Sequence, residues 1–130
     1  MTNGEPRDPR RPTDAELLES TPGDLTLADV LAGAAEEAGA TSATESADTI
    51  TWSAGSPPQP FATLSGDRAE FRLDPTVARA AFRTPDASPS PRGPEWVAFA
   101  PGVVDDGAVD RAEAWFLAAH RRAMTARPAR

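Results

Sequence analysis

The chain has 130 residues with 14 Pro, 9 Gly and no Cys, and its 20 acidic residues outnumber 13 basic ones, every one Arg, for a formal net charge of −7. That length suits one domain of ordinary size rather than two. The composition excludes a disulfide framework, a thiolate nucleophile, a Cys-based zinc site and, with a single His, a multi-histidine metal centre.

Residues 1–24 read as a disordered tail, because Met1 to Pro12 carries three Pro and three Arg and no large apolar residue beyond Met1. The tail lacks the apolar core of a signal peptide. No apolar run of the chain approaches the ~20 residues of a membrane span. Both features lead to the expectation of a cytoplasmic protein with no membrane contact. Within the tail, Thr13 and Glu16 have capping-box spacing ahead of Leu17 and Leu18. The pattern fits either a fraying helical turn or a short docking motif.

The spacing of Leu27, Val30, Leu31, Ala34 and Ala38 predicts a helix over 26–38, with Thr26 as its cap and Gly39 beyond its end. The small, polar segment 40–47 reads as a loop. Ile50 and Trp52 then alternate with Thr49, Thr51 and Ser53, the period of a strand. After a Pro-rich connection, Phe61 to Leu64 and Arg68 to Leu73 form a hairpin about Ser65-Gly66-Asp67. In its second strand Ala69, Phe71 and Leu73 face one way and Arg68, Glu70 and Arg72 the other.

Asp74-Pro75 predicts a short helix running to about Arg83 and presenting Val77, Ala81 and Phe82. Residues 84–95 read as a loop and Trp96 to Ala100 as a strand. The last helix starts near Asp105 or Asp106 and runs to about Ala123, with Val109, Ala112, Phe116, Ala119 and Ala123 as its apolar stripe. The fold class is therefore α+β: two layers, a mainly antiparallel sheet with helices on one face, in the order α-β-β-β-α-β-α. The domain spans 25–124, and residues 125–130 form a second disordered tail.

From Phe61 to Ala123 the residues resemble the MmcQ/YjbR-like family of small bacterial proteins. The resemblance rests on Phe61-Ala62-Thr63-Leu64, Glu70-Phe71-Arg72-Leu73, Asp74-Pro75 with its short helix, a Pro-rich loop, Trp96-Val97, and Val104-Asp105-Asp106 ahead of an amphipathic helix. The first helix and the Ile50 to Ser53 strand fit more loosely. The resemblance implies a compact α+β domain similar to secretion chaperones, and a DNA-binding role has been suggested for the group. Many members carry basic and His residues just before that Trp. Here the segment is Ser90-Pro91-Arg92-Gly93-Pro94-Glu95, in which only Arg92 is basic and Glu95 opposes it. The family supplies no agreed catalytic set.

Four groups of residues have chemistry to weigh. Asp106, Asp110 and Glu113 share one side of the last helix, where they either complement the helix dipole or offer oxygen ligands to a hard cation; the dipole role is the commoner, and no metal or cofactor is expected. His120, near the edge of the apolar stripe, is either a packed boundary residue or a proton shuttle or pH-sensitive contact, and with Trp96 it is the candidate lining of a ligand pocket. Arg92, Arg121, Arg122 and Arg127 are candidates for an anion or nucleic acid, although residues 25–126 carry 14 acids against 8 Arg and repel a phosphate backbone over most of the surface. Trp115, beside Arg111 and Arg122, is either an exposed anchor for a protein partner or a cover for the edge of the sheet. No phosphate-cradling Gly loop and no nucleophile elbow is present. The functional expectation is a small, acidic, non-catalytic protein-interaction module. The alternatives are DNA binding through the Arg-rich C-terminal end, and a ligand pocket or active site between sheet and helices.

Overall fold

A computed structural model describes residues 25–39 and 41–125. The proposed docking motif at Leu17 and Leu18, and Arg127, lie outside the described residues.

Three helices and six strands follow in chain order: α1 (Leu27–Ala38), β1 (Ser42–Ser46), β2 (Thr49–Ala54), β3 (Gln59–Ser65), β4 (Arg68–Arg72), α2 (Pro75–Ala81), β5 (Ala87–Ser90), β6 (Gly93–Phe99) and α3 (Asp106–Thr125). The strands form one antiparallel sheet in the order β1-β2-β3-β4-β6-β5. The fold is α+β, and the expected α-β-β-β-α-β-α order runs through it. Two strands, β1 and β5, stand where loops were expected. All five residues of β1 are exposed, so it has no buried side to produce an alternating pattern. Strand β5 carries Pro89, which an edge strand tolerates because its missing N–H costs no ladder bond there.

Each helix start follows local chemistry. The Thr26 hydroxyl accepts from the Asp29 N–H at 3.1 Å and the Asp29 carboxylate accepts from the Thr26 N–H at 3.3 Å, a closed capping box for α1. Asp74 accepts from the Thr76 N–H at 2.9 Å, and Asp105 from the Ala108 N–H at 2.9 Å. Helix α2 stops at Ala81 rather than Arg83, and it buries Ala78 and Ala81 while Val77 stays exposed. On α3 the buried stripe is Ala108, Ala112, Phe116, Ala119 and Ala123, with Val109 only half-buried.

All three helices join one apolar cluster with the same face of the sheet. Cross-strand partners share a face, so Ala62 with Phe71, Leu64 with Ala69, Phe71 with Val97 and Ala69 with Phe99 carry that face across three strands. Phe61 joins them through a β-bulge: Trp52 pairs with Ala62 but Ser53 with Pro60, so Phe61 is the extra residue and turns toward the helices. Phe116 sits at the centre, edge-on to Trp52 at 5.4 Å and to Phe61 at 5.1 Å between ring centroids. No described helix is long and apolar enough to cross a membrane.

The β2–β3 connection touches the end of α3 at one narrow point. Gly55 has φ +98°, and a Cβ built there would lie 2.7 Å from the backbone carbonyl oxygen of Ala123. Replacing it with Ala forces a left-handed conformation on an L side chain and pushes the loop off the helix. Gly55→Ala is expected to destabilise the domain by about 2 kcal/mol, read as a lower urea midpoint with an unchanged slope.

Candidate functional site

The second face of the sheet carries no helix among the described residues. Its positions follow from the period of two. Thr44, Thr51, Thr63 and Glu70 lie across β1 to β4 as successive partners, and Ala98 and Ser88 continue the row on β6 and β5. The row is polar apart from Ala98, and most of its side chains are short hydroxyls.

One charge is buried in the middle of this face. Glu70, only 7% exposed, sits where β3, β4, β5 and β6 converge. Its Oε1 accepts from the Thr63 hydroxyl at 3.0 Å and from Arg92 Nε at 2.6 Å. Its Oε2 accepts from the Ser90 hydroxyl at 2.6 Å and from an Arg68 terminal nitrogen at 3.5 Å. Ser90 shares this face because it stands two residues after Ser88 on β5, and the β5–β6 register breaks between Pro89 and Ser90. The same hydroxyl accepts from the Arg92 N–H at 3.1 Å, which ties the β5–β6 turn to the carboxylate. Burial raises the Glu70 carboxyl, but the hydrogen bonds from Ser90, Arg92 and Thr63 and the Arg92 charge outweigh it and hold the group at about 2. Glu70 is thus a fixed anion at neutral pH and moves no proton there.

Arg92 is braced from two sides. Its Nε is held by Glu70, and its guanidinium carbon stands 5.5 Å from the centroid of the half-buried Trp96 ring. Its side chain is 44% exposed all the same, and Arg68 is equally exposed. The cluster places two guanidiniums and one carboxylate on the sheet, a local excess of one positive charge in a chain of net −7.

The other candidate residues sit elsewhere. Trp115 is half-buried on the helix side, edge-on to Phe99 at 5.1 Å and near Phe71 at 6.2 Å, so it covers the sheet. Arg111 is half-buried, with its Nε buried and without a hydrogen-bond partner among the described residues. Its terminal nitrogens fold back toward Gly107, close enough that a Cβ there would meet them at 3.4 Å. Arg122 is paired with Glu95 at 3.0 Å, and Glu95 also accepts from Arg72 at 3.3 Å, so this trio joins the end of the sheet to α3. Arg121 is exposed on α3. Arg92 therefore does not share a patch with Arg121 and Arg122: it lies on the opposite face of the sheet.

His120 and Trp96 are separated in the same way, which corrects the expectation of one pocket holding both. His120 packs edge-on to Phe61 at 5.5 Å on the helix side, with its Nε2 buried and without a hydrogen-bond partner among the described residues. Trp96 is a neighbour of the inward-facing Val97 and so faces outward. The cleft that His120 does border, with Glu37, Leu117, Arg121 and Met124, is open and about 370 Å³. Asp106 and Asp110 stay exposed, and no group of three or more potential ligands that could hold a metal occurs among the described residues.

Glu70, Thr63 and Ser90 were missed as a unit. Arg68, Glu70 and Arg72 alternate outward as a solvated face does, and nothing in 84–95 marks Ser90 as the residue that closes over Glu70. The fold and the cluster define an α+β domain with one face of its sheet under helices and a charged network on the other. Comparison of the chain with family models, with curated proteins and with solved structures finds no match in any of the three.

Proposed function

We propose that the chain is a non-catalytic protein-docking module, and that the helix-free face of its sheet receives an acidic segment of a partner protein. The observation that carries this is the state of Arg92. Its Nε is fixed by a buried carboxylate and its guanidinium carbon stands 5.5 Å from the centroid of the Trp96 ring, while the side chain stays 44% exposed. An Arg immobilised in this way has already lost the side-chain entropy that binding would otherwise cost. A guanidinium matches a carboxylate with two parallel hydrogen bonds, and a Trp–Arg pair is the composition that dominates protein interfaces. The exposed Ser88 hydroxyl on the same face offers a further donor, whereas those of Thr63 and Ser90 are already given to Glu70. The MmcQ/YjbR-like resemblance fits a domain that works through contacts, and it stands here as part of the proposal.

Nucleic acid is the less favoured ligand, because Arg121 and Arg122 do not join Arg92 and the chain is acidic overall. Fluorescence anisotropy with a labelled oligo-glutamate peptide tests the proposal on the full chain. Arg92→Lys keeps a cation against Glu70 but loses the fork. It is expected to weaken peptide binding about tenfold while leaving the urea midpoint close to wild type, and Arg121→Ala is expected to change neither. Absence of peptide binding, equal binding by Arg92→Lys, or binding of duplex DNA that depends on Arg121 and Arg122 overturns it.

A further inference from the structure

The two edges of the sheet are built differently. Strand β5 has four residues, a Pro at position 89 and a break in register, and each of these obstructs the addition of another strand. Strand β1 has none of them. Its five residues pair with β2 without interruption, contain no Pro, Lys or Arg, and are all exposed. Alternate N–H and C=O groups of β1 therefore point away from β2 with no strand among the described residues to receive them.

We infer that β1 is an association edge whose occupant is β1 of a second copy of this chain, paired antiparallel about Thr44. The sequence Ser-Ala-Thr-Glu-Ser is self-complementary in that register. Ser42 meets Ser46 of the other copy, Thr44 meets Thr44, and Ala43 meets Glu45. Hydroxyl pairs across strands are favourable, and the single charge never opposes itself. A two-fold axis through the Thr44 pair is a closed, isologous arrangement. It joins both sheets into one and places both Arg92 clusters on the same side, so an acidic partner with two segments would be held at two points. The contact is small beside a stable interface, and two chains of net −7 repel one another. The dimer is accordingly reversible and is strengthened by salt, as screening of like charges requires.

Sedimentation equilibrium of the full chain at rising concentration tests this. The average mass is expected to climb from the 13.7 kDa of one chain toward twice that value, and further at high salt. Ala43→Glu sets Glu against Glu twice per dimer and is expected to weaken association about tenfold, whereas Ala43→Lys sets Lys against Glu and is expected to strengthen it several-fold. Ala43 is exposed, so both variants fold, and circular dichroism verifies that. A mass that stays at 13.7 kDa up to about 1 mM, or variants that move association in the same direction, overturns the inference. Neither result touches the Arg92 site, which is read by peptide binding.

Discussion

Phe116→Ala is expected to destabilise the domain by about 3–5 kcal/mol, the range for removing a fully buried Phe, and so to consume much of the ~5–15 kcal/mol that holds a domain of this size together. The size of the effect follows from the composition of α3. Phe116 is 0% exposed, and the other buried residues of the helix, Ala108, Ala112, Ala119 and Ala123, are all Ala. Four small side chains let the helix axis come close to the sheet. One large ring fills the gap that remains, between Trp52 and Phe61. The floor of the resulting cavity is a hydrogen-bonded sheet whose strands cannot move inward singly, so collapse recovers little. Urea denaturation followed by Trp fluorescence measures the loss as a shift in midpoint at constant slope. A loss under about 1 kcal/mol would mean that α3 does not sit on the sheet through this ring.

The second large effect belongs to Glu70. Glu70→Gln keeps the shape but leaves Arg92, Ser90 and Thr63 with a neutral acceptor, and it is expected to cost up to about 3 kcal/mol at pH 7. The pH dependence gives this expectation its sign. The folded carboxyl titrates at about 2 against an ordinary value of 4.5. A depressed carboxyl contributes its full stabilisation above 4.5 and loses it as the pH falls from there toward 2. Wild type should therefore lose stability over that window, while Glu70→Gln loses less. The difference between the two urea midpoints should shrink from pH 7 to pH 3. An equal difference at both values would show that the network acts through shape and not through charge.

The alternating run Ile50 to Ser53 and the hairpin about Gly66-Asp67 were legible in the sequence because each strand has one apolar side. The Thr26 and Asp74 caps were legible because a short oxygen-bearing side chain ahead of a helix has few other roles, whereas the last helix was placed only as starting near Asp105 or Asp106. Strand β1 was not, since a strand exposed on both sides has no period to detect. The Ala-rich helices blurred their own faces: Val109 was placed inward where Ala108 is, and Val77 where Ala78 is. Ala is indifferent enough to burial that only the packed structure distinguishes such neighbours. The Glu70 cluster was hidden for a different reason. Thr63, Glu70, Ser90 and Arg92 come from β3, β4, β5 and the β5–β6 turn, and strand pairing alone brings them together. Trp96 and His120 were grouped by chemical type, yet adjacent strand positions point to opposite sides of a sheet.

A proton–nitrogen correlation spectrum of the labelled full chain, titrated with the oligo-glutamate peptide, tests the central claim most directly. The amides of Thr63, Ser88, Ser90 and Arg92 and the indole N–H of Trp96 are expected to shift together and saturably, while those of Arg121 to Thr125 stay in place. Shifts confined to the end of α3, or none at all at saturating peptide, would contradict a docking surface on the helix-free face of the sheet.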